Sequence, residues 1–103
     1  MILNAALTLV DARLRAILIR EKEKIEYKIE GYFRVFDPLY YKIQLAVGGS
    51  YYLVKILVDN GEYIHIKMFI PTLYPAIPCI ILVVTRGLTL YDKLWNIILL
   101  FIL

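Results

Sequence analysis

The 103-residue chain has one cysteine and one histidine, so it lacks the residues that staple or metallate small domains. A single thiol cannot build a disulfide framework, and one Cys with one His cannot complete a zinc site within one chain. No cofactor is expected, and a reduced, cytoplasmic setting suits such a composition. Charge is scarce too. Charged residues make up 20% of the chain, and 12 basic against 9 acidic side chains leave a net charge of +3. That balance is too mild to argue for nucleic acid as a partner. Long apolar runs are missing as well: a spanning helix needs about 20 such residues. The last ten, Leu94 to Leu103, include only Asn96 as a polar residue, but Arg86, Asp92 and Lys93 stop the run from extending backwards. A membrane span is therefore not expected. The apolar start, residues 1–10, has no basic region before it, and Asp11, Arg13 and Arg15 follow, so it does not read as a signal peptide.

What is abundant is hydrophobicity. The hydrophobic class takes 61% of the chain, with nine tyrosines, and the mean hydropathy is +0.69. Intrinsic disorder, which needs low hydrophobicity and high charge, is excluded. The length fits one domain over residues 1–103, with an apolar C-terminal segment at about 88–103. Its last ten residues, Leu94 to Leu103, β-prone and free of charge, are the main solubility hazard.

Leu14, Leu18, Ile25 and Ile29 recur at spacings of four and seven around a charged stretch, Arg20 to Lys24. This pattern predicts an amphipathic helix from Asp11 to Glu30, with Thr8 and Asp11 as a short capping box and Gly31 as its stop. After Tyr32 the period changes to two. Tyr41, Ile43, Leu45 and Val47 alternate with Lys42, Gln44 and Ala46; Tyr52, Val54, Ile56 and Val58 alternate around Lys55. Ile64, Ile66, Met68 and Ile70 then alternate with Tyr63, His65 and Lys67. Each run has one apolar and one mixed face, as in an antiparallel sheet covered on one side. Gly48-Gly49-Ser50 is the expected first connection, and Asp59-Asn60-Gly61-Glu62 carries the Asn-Gly hairpin signal. Pro71, Pro75 and Pro78 exclude a central strand between Ile70 and Pro78, and Ile80 to Thr85 reads as a further apolar strand. One greasy helical stripe and one greasy sheet face should pack on each other. The fold class is α+β, one long helix on a four- to five-stranded antiparallel sheet.

Within this frame, Gln44-Leu45-Ala46-Val47-Gly48 followed by Ser50-Tyr51-Tyr52-Leu53-Val54-Lys55-Ile56 resembles the first hairpin of the stefins, the type 1, single-domain cystatins. That family carries a Gln-x-Val-x-Gly signature ahead of a Tyr-rich strand. Tyr63-Ile64-His65-Ile66-Lys67-Met68-Phe69 resembles the next stefin strand, and Leu73-Tyr74-Pro75 falls where stefins present a Leu-Pro tip. The resemblance covers most of residues 11–75. It implies a cystatin-like fold and non-covalent inhibition of papain-like cysteine proteases, through a wedge that covers the catalytic thiol without offering a cleavable bond. Carried onto this chain, the wedge is Leu3, Asn4 and Ala5, then Gln44, Leu45, Ala46, Val47 and Gly48, then Leu73, Tyr74 and Pro75.

The residue types suit that task. Glycine at a tip permits close approach and positive φ, Leu45, Val47 and Leu73 offer apolar area, and Gln44 at the base can bond to loop backbone. There are departures from the family pattern. Asn4 and Ala5 stand where stefins have Gly, Ala46 replaces the signature Val, Gly49 reads as an insertion, and Tyr74 separates Leu73 from Pro75. Asp37-Pro38 interrupts the second strand, which is tolerable only at a bulge or edge. A second reading keeps the fold without the inhibition: a self-associating scaffold, dimeric or strand-swapped through its apolar excess and tail, as a drifted or artificial sequence on the same pattern would be.

Other residues have plainer roles. His65 is expected on the solvated sheet surface, Cys79 as a small buried hydrophobe, and Trp95 as packing for the tail. The mixed-sign run Arg20 to Lys28 reads as a solvated helix face, and Tyr40, Tyr41, Tyr51 and Tyr52 as strand residues. No orienting or oxyanion motif accompanies Cys79 and His65, so an enzyme is not expected.

Overall fold

The computed structural model describes residues 7–94. In chain order they form β1 (Thr8–Leu9), α1 (Ala12–Arg20), α2 (Lys22–Ile29), β2 (Phe36–Ala46), β3 (Gly49–Val58), β4 (Tyr63–Pro71) and β5 (Ile80–Leu88). The strands make one antiparallel sheet in the order β1-β2-β3-β4-β5, a meander in which every neighbour in sequence is a neighbour in space. This is the α+β, cystatin-like arrangement expected, with β1 as the short fifth strand.

The helical span matches the expectation at both ends but is broken once, at Glu21. Asp11 is itself the N-cap: its carboxylate accepts the Leu14 N–H at 2.8 Å. Thr8 instead belongs to β1, opposite Tyr41, so the capping box is replaced by a simple Asx cap. At the other end the left-handed residue is Glu30, with φ 54°, rather than Gly31. Gly31 donates to the Glu26 carbonyl at 3.0 Å, closing the helix with the wide turn such caps use.

Leu14, Ile17, Leu18 and Ile25 are buried against Val54, Ile56 and Val58 of β3, Ile64, Ile66, Met68 and Ile70 of β4, and Ile81 of β5. Each such side chain contributes about 1.5–3 kcal/mol on burial. Pro38 fits because the β2–β3 register slips between Pro38 and Tyr40. The bulge frees the Leu39 carbonyl for the Val10 N–H at 2.9 Å. Arg15 reaches the same bulge from α1, 2.7 Å from Asp37 Oδ1 and 3.0 Å from the Pro38 carbonyl. The Asn-Gly hairpin forms as expected, with Asn60 at φ 61° and Gly61 at φ 70°.

Three expectations change. The first connection is only Val47-Gly48, because Gly49 already opens β3 opposite Ala46. β5 runs on past Thr85 to Leu88. Most consequentially, the mixed face of the sheet is covered at its centre. After β5 the chain folds back, and the Lys55 ammonium donates to the carbonyls of Thr89, Leu90 and Asp92 at 3.2, 2.6 and 2.6 Å. Leu94 then packs on Leu53 and next to Val83. Lys55, His65 and Lys67 are buried on this face, so His65 is not the solvated residue that alternation alone implied. Trp95 and the rest of the tail lie outside the described residues. Among the described residues, no helix is long and apolar enough to cross a membrane.

Candidate functional site

The two hairpin ends expected to act together do lie together. β3 pairs with β4 from Gly49 opposite Pro71 onward, so the Val47-Gly48 turn and the 72–79 loop leave the same end of the sheet. A hydrogen bond joins them directly: the Thr72 N–H donates to the Gly48 carbonyl at 2.9 Å. Gly48 has φ 79°, which a β-carbon would penalise. Gly49 is needed for a different reason. A β-carbon there would sit 2.6 Å from Phe69 Cζ and 2.9 Å from Pro71 Cα, so the close pairing of the two hairpins depends on its absence.

The rim built this way is apolar and open. Leu45 is 71% exposed, Val47 fully exposed and Leu73 64% exposed, with Ala46, Gly48 and Pro75 exposed beside them. Leu45 lies on the helix-facing side of β2, opposite Ser50. Gln44 is half-buried opposite Tyr51, and the bond that ties down the turn comes from the other loop. β1 runs antiparallel to β2 with Thr8 opposite Tyr41, so its N-terminal end points toward the Val47-Gly48 end of the sheet. Leu3, Asn4 and Ala5 lie outside the described residues.

Tyr74 differs from its neighbours. Its ring packs against the core, its hydroxyl donates to Glu21 Oε2 at 3.3 Å, and the Arg20 guanidinium lies 5.8 Å over its face. Burial, followed by the Glu21 carboxylate, pushes its phenol above the ordinary value. Glu21 was missed in the sequence as anything but part of a solvated face. The signal was there: at a spacing of three from Leu18 and four from Ile25, position 21 falls on the apolar stripe.

Cys79 and His65 are kept apart by the sheet. Cys79 belongs to the helix-side core, and burial, helped by Glu21, pushes its thiol up to about 11, which removes it as a nucleophile near neutral pH. His65 is on the opposite face, where burial beside Lys55 pushes its imidazole down to about 4 despite Asp92. Among the described residues, no group of three His, Cys, Asp or Glu side chains is arranged to hold a metal. What the rim presents is shape and apolar area.

No family model matches the chain. Individual proteins do. It is 40% identical to cystatin-A of Felis catus over 48 residues, 47% of this chain and 48% of that protein. It is 36% identical to cystatin-B of Bos taurus over 58 residues, 56% of this chain and 58% of the relative. With stefin-C of Bos taurus it shares 34% over 58 residues, 56% of each chain. The chain is stefin-like. It spans about half the length of the curated relatives it matches.

Proposed function

We propose that this stefin-like chain is a non-covalent inhibitor of papain-like cysteine proteases, acting through a rim made of Gln44–Gly48 and Leu73–Pro75, with Leu3–Ala5 as its third element. The observation that carries the reading is the pairing of two exposed apolar tips along one edge, bridged by the Thr72–Gly48 hydrogen bond. Likeness to cystatin-A, cystatin-B and stefin-C supports it. Such a rim inserts into a cleft as a preformed wedge, and a rigid sheet behind it lowers the ordering cost of binding. About 800 Å² per partner is the area a stable complex of this kind needs. The protein acts by occupying the cleft, with no bond made or broken. A reducing, cytoplasmic setting suits its free, buried Cys79.

Titration of active papain is the test. Stoichiometric loss of activity is expected, and Val47→Asp or Gly48→Glu should weaken it at least tenfold while leaving the fold intact. Papain left fully active by a folded, monomeric preparation would overturn the reading.

The self-association reading has an observation of its own. β5 is the last strand of the described sheet and runs from Ile80 to Thr85 without a charge. Ile77 and Ile80 are exposed near its start. An apolar edge strand pairs readily with a second copy. A concentration-dependent dimer that Ile80→Lys dissolves would support it, and a monomer at every concentration would dismiss it.

A further inference from the structure

Glu21 is a charge placed where the helix meets the sheet. It lies on the apolar stripe between Leu18 and Ile25, and only 6% of it is exposed. A carboxylate in such a seam is costly unless partnered, and its partners all lead to the second loop of the rim. Lys24 Nζ lies 2.8 Å from Oε1, and the Tyr74 hydroxyl donates to Oε2. The same Lys24 ammonium donates to the Cys79 carbonyl at 3.2 Å. Tyr74 is near the start of the 72–79 loop and Cys79 is its last residue, so one break between α1 and α2 holds both ends. From the other side, the Thr72 N–H fastens the loop to Gly48. Leu73 and Pro75, on either side of Tyr74, are left facing outward.

We infer that Tyr74 and Glu21 are positioning residues: by anchoring the 72–79 loop to the helix junction, they fix where Leu73 stands relative to Val47. The inference deepens the inhibitor reading and rests on it for its functional consequence. Its structural half stands by itself. The loop is suspended between the helix and the first turn, and the tyrosine hydroxyl ties its first half to the helical side while Lys24 holds its last residue. Without that bond, Tyr74 keeps its apolar packing but loses its fixed depth, and the exposed residues beside it lose their fixed spacing from the Val47-Gly48 turn.

Two conservative variants test this, Tyr74→Phe and Glu21→Gln, together with their combination. The first readout is the rate at which a small aromatic disulfide modifies Cys79, the single cysteine, under native conditions, with global unfolding measured in parallel by urea titration. Cys79 is 4% exposed behind the loop, so modification reports loop opening. Either variant should speed it about tenfold beyond what the change in global stability supplies, as loss of one hydrogen bond to a charged group would. The pair should accelerate it by less than the product of the two single effects, because the two changes share the Tyr74–Glu21 interaction, although Glu21→Gln also gives up the ion pair with Lys24. The second readout is kinetic. Papain should dissociate about threefold to tenfold faster from either variant with its association rate unchanged, which a loss of global stability alone would not produce.

Wild-type values for both readouts in both variants would overturn the inference. So would acceleration only in proportion to the lost global stability, or fully additive effects in the double variant. Wild-type protein that fails to bind papain, while Cys79 opens in both variants as expected, would leave the anchor standing and remove the inhibitor reading.

Discussion

His65 provides a test of the covered sheet face, because acid should loosen the protein in a window that this one imidazole dominates. The side chain is 1% exposed. It faces Lys55, its register partner on β3, and Thr85, its partner on β5, with Tyr63 and Lys67 on its own strand and Asp92 from the returning segment. Burial and the Lys55 charge hold the folded imidazole near 4, against 6.5 for an ordinary histidine. The unfolded chain therefore takes up a proton as the pH falls through 6.5, while the folded chain stays neutral until about 4. Stability is full above the higher value and falls as the pH drops between the two, by about 1.4 kcal/mol per pH unit and about 3 kcal/mol in all. The Asp59 and Asp92 carboxyls, which accept the Arg34, Val35 and Thr89 N–H groups, are held below the usual carboxylate value. Their losses fall mainly at the acid end of this window or below it, and His65 is the only histidine. Urea midpoints at pH 7.0, 6.0 and 5.0 for the wild type and His65→Phe provide the assay. The wild type should lose stability steeply and the variant should stay nearly flat. A variant that falls as steeply as the wild type would refute the buried, neutral histidine.

Gly49→Ala should cost about 1–3 kcal/mol, since its methyl would meet Phe69 and the Pro71 backbone, which cannot simply rotate away; chemical denaturation measures it. Lys55→Met keeps the apolar stem but leaves the carbonyls of Thr89, Leu90 and Asp92 without their shared donor. Amide exchange over residues 89–94 should rise by at least tenfold while α1 and α2 change little, as expected when about 1.5–3 kcal/mol of charge-assisted bonding is lost locally. Asp11→Ala should lower stability by about 1 kcal/mol through the lost cap on Leu14, whereas Thr8→Ala should not act through helix capping; thermal melts of the two variants separate these roles.

The fold was legible because the two hydrophobic periods are clean and their boundaries carry turn chemistry. Leu14, Leu18 and Ile25 mark the buried stripe, the alternating runs mark three strands, and Asn60-Gly61 marks the tight hairpin. Position on the rim was legible through the stefin resemblance and glycine placement. Periodicity failed where a side chain's surroundings come from a distant segment. His65 alternates outward correctly, but its burial is decided by Thr89–Leu94, more than twenty residues away. A signal for that return existed in Thr89-x-x-Asp92, where the Asp92 carboxylate accepts the Thr89 N–H at 2.6 Å and turns the chain back just ahead of Leu94. Glu21 failed for the opposite reason. A run of charges from Arg20 to Lys24 reads as uniformly solvated, although its middle members face different sides of a 3.6-residue turn.

The exposed tips also set an upper limit on what the described rim can do alone. Leu45, Val47 and Leu73 together would yield roughly 5–9 kcal/mol if fully buried by a partner, at about 1.5–3 kcal/mol each. Association itself costs about 4–15 kcal/mol in lost freedom. Three apolar tips on a rigid edge therefore leave little net affinity, even with most of the loop ordering already done by the Thr72–Gly48 bond and the Tyr74 anchor. Tight inhibition needs further area, and the N-terminal end of β1 is directed toward the same edge. Removing residues 1–5 should accordingly weaken papain binding by at least a hundredfold, about 2.7 kcal/mol, without lowering the urea midpoint. Inhibition that survives this truncation unchanged would mean that the affinity comes from surface other than the rim and its amino-terminal extension.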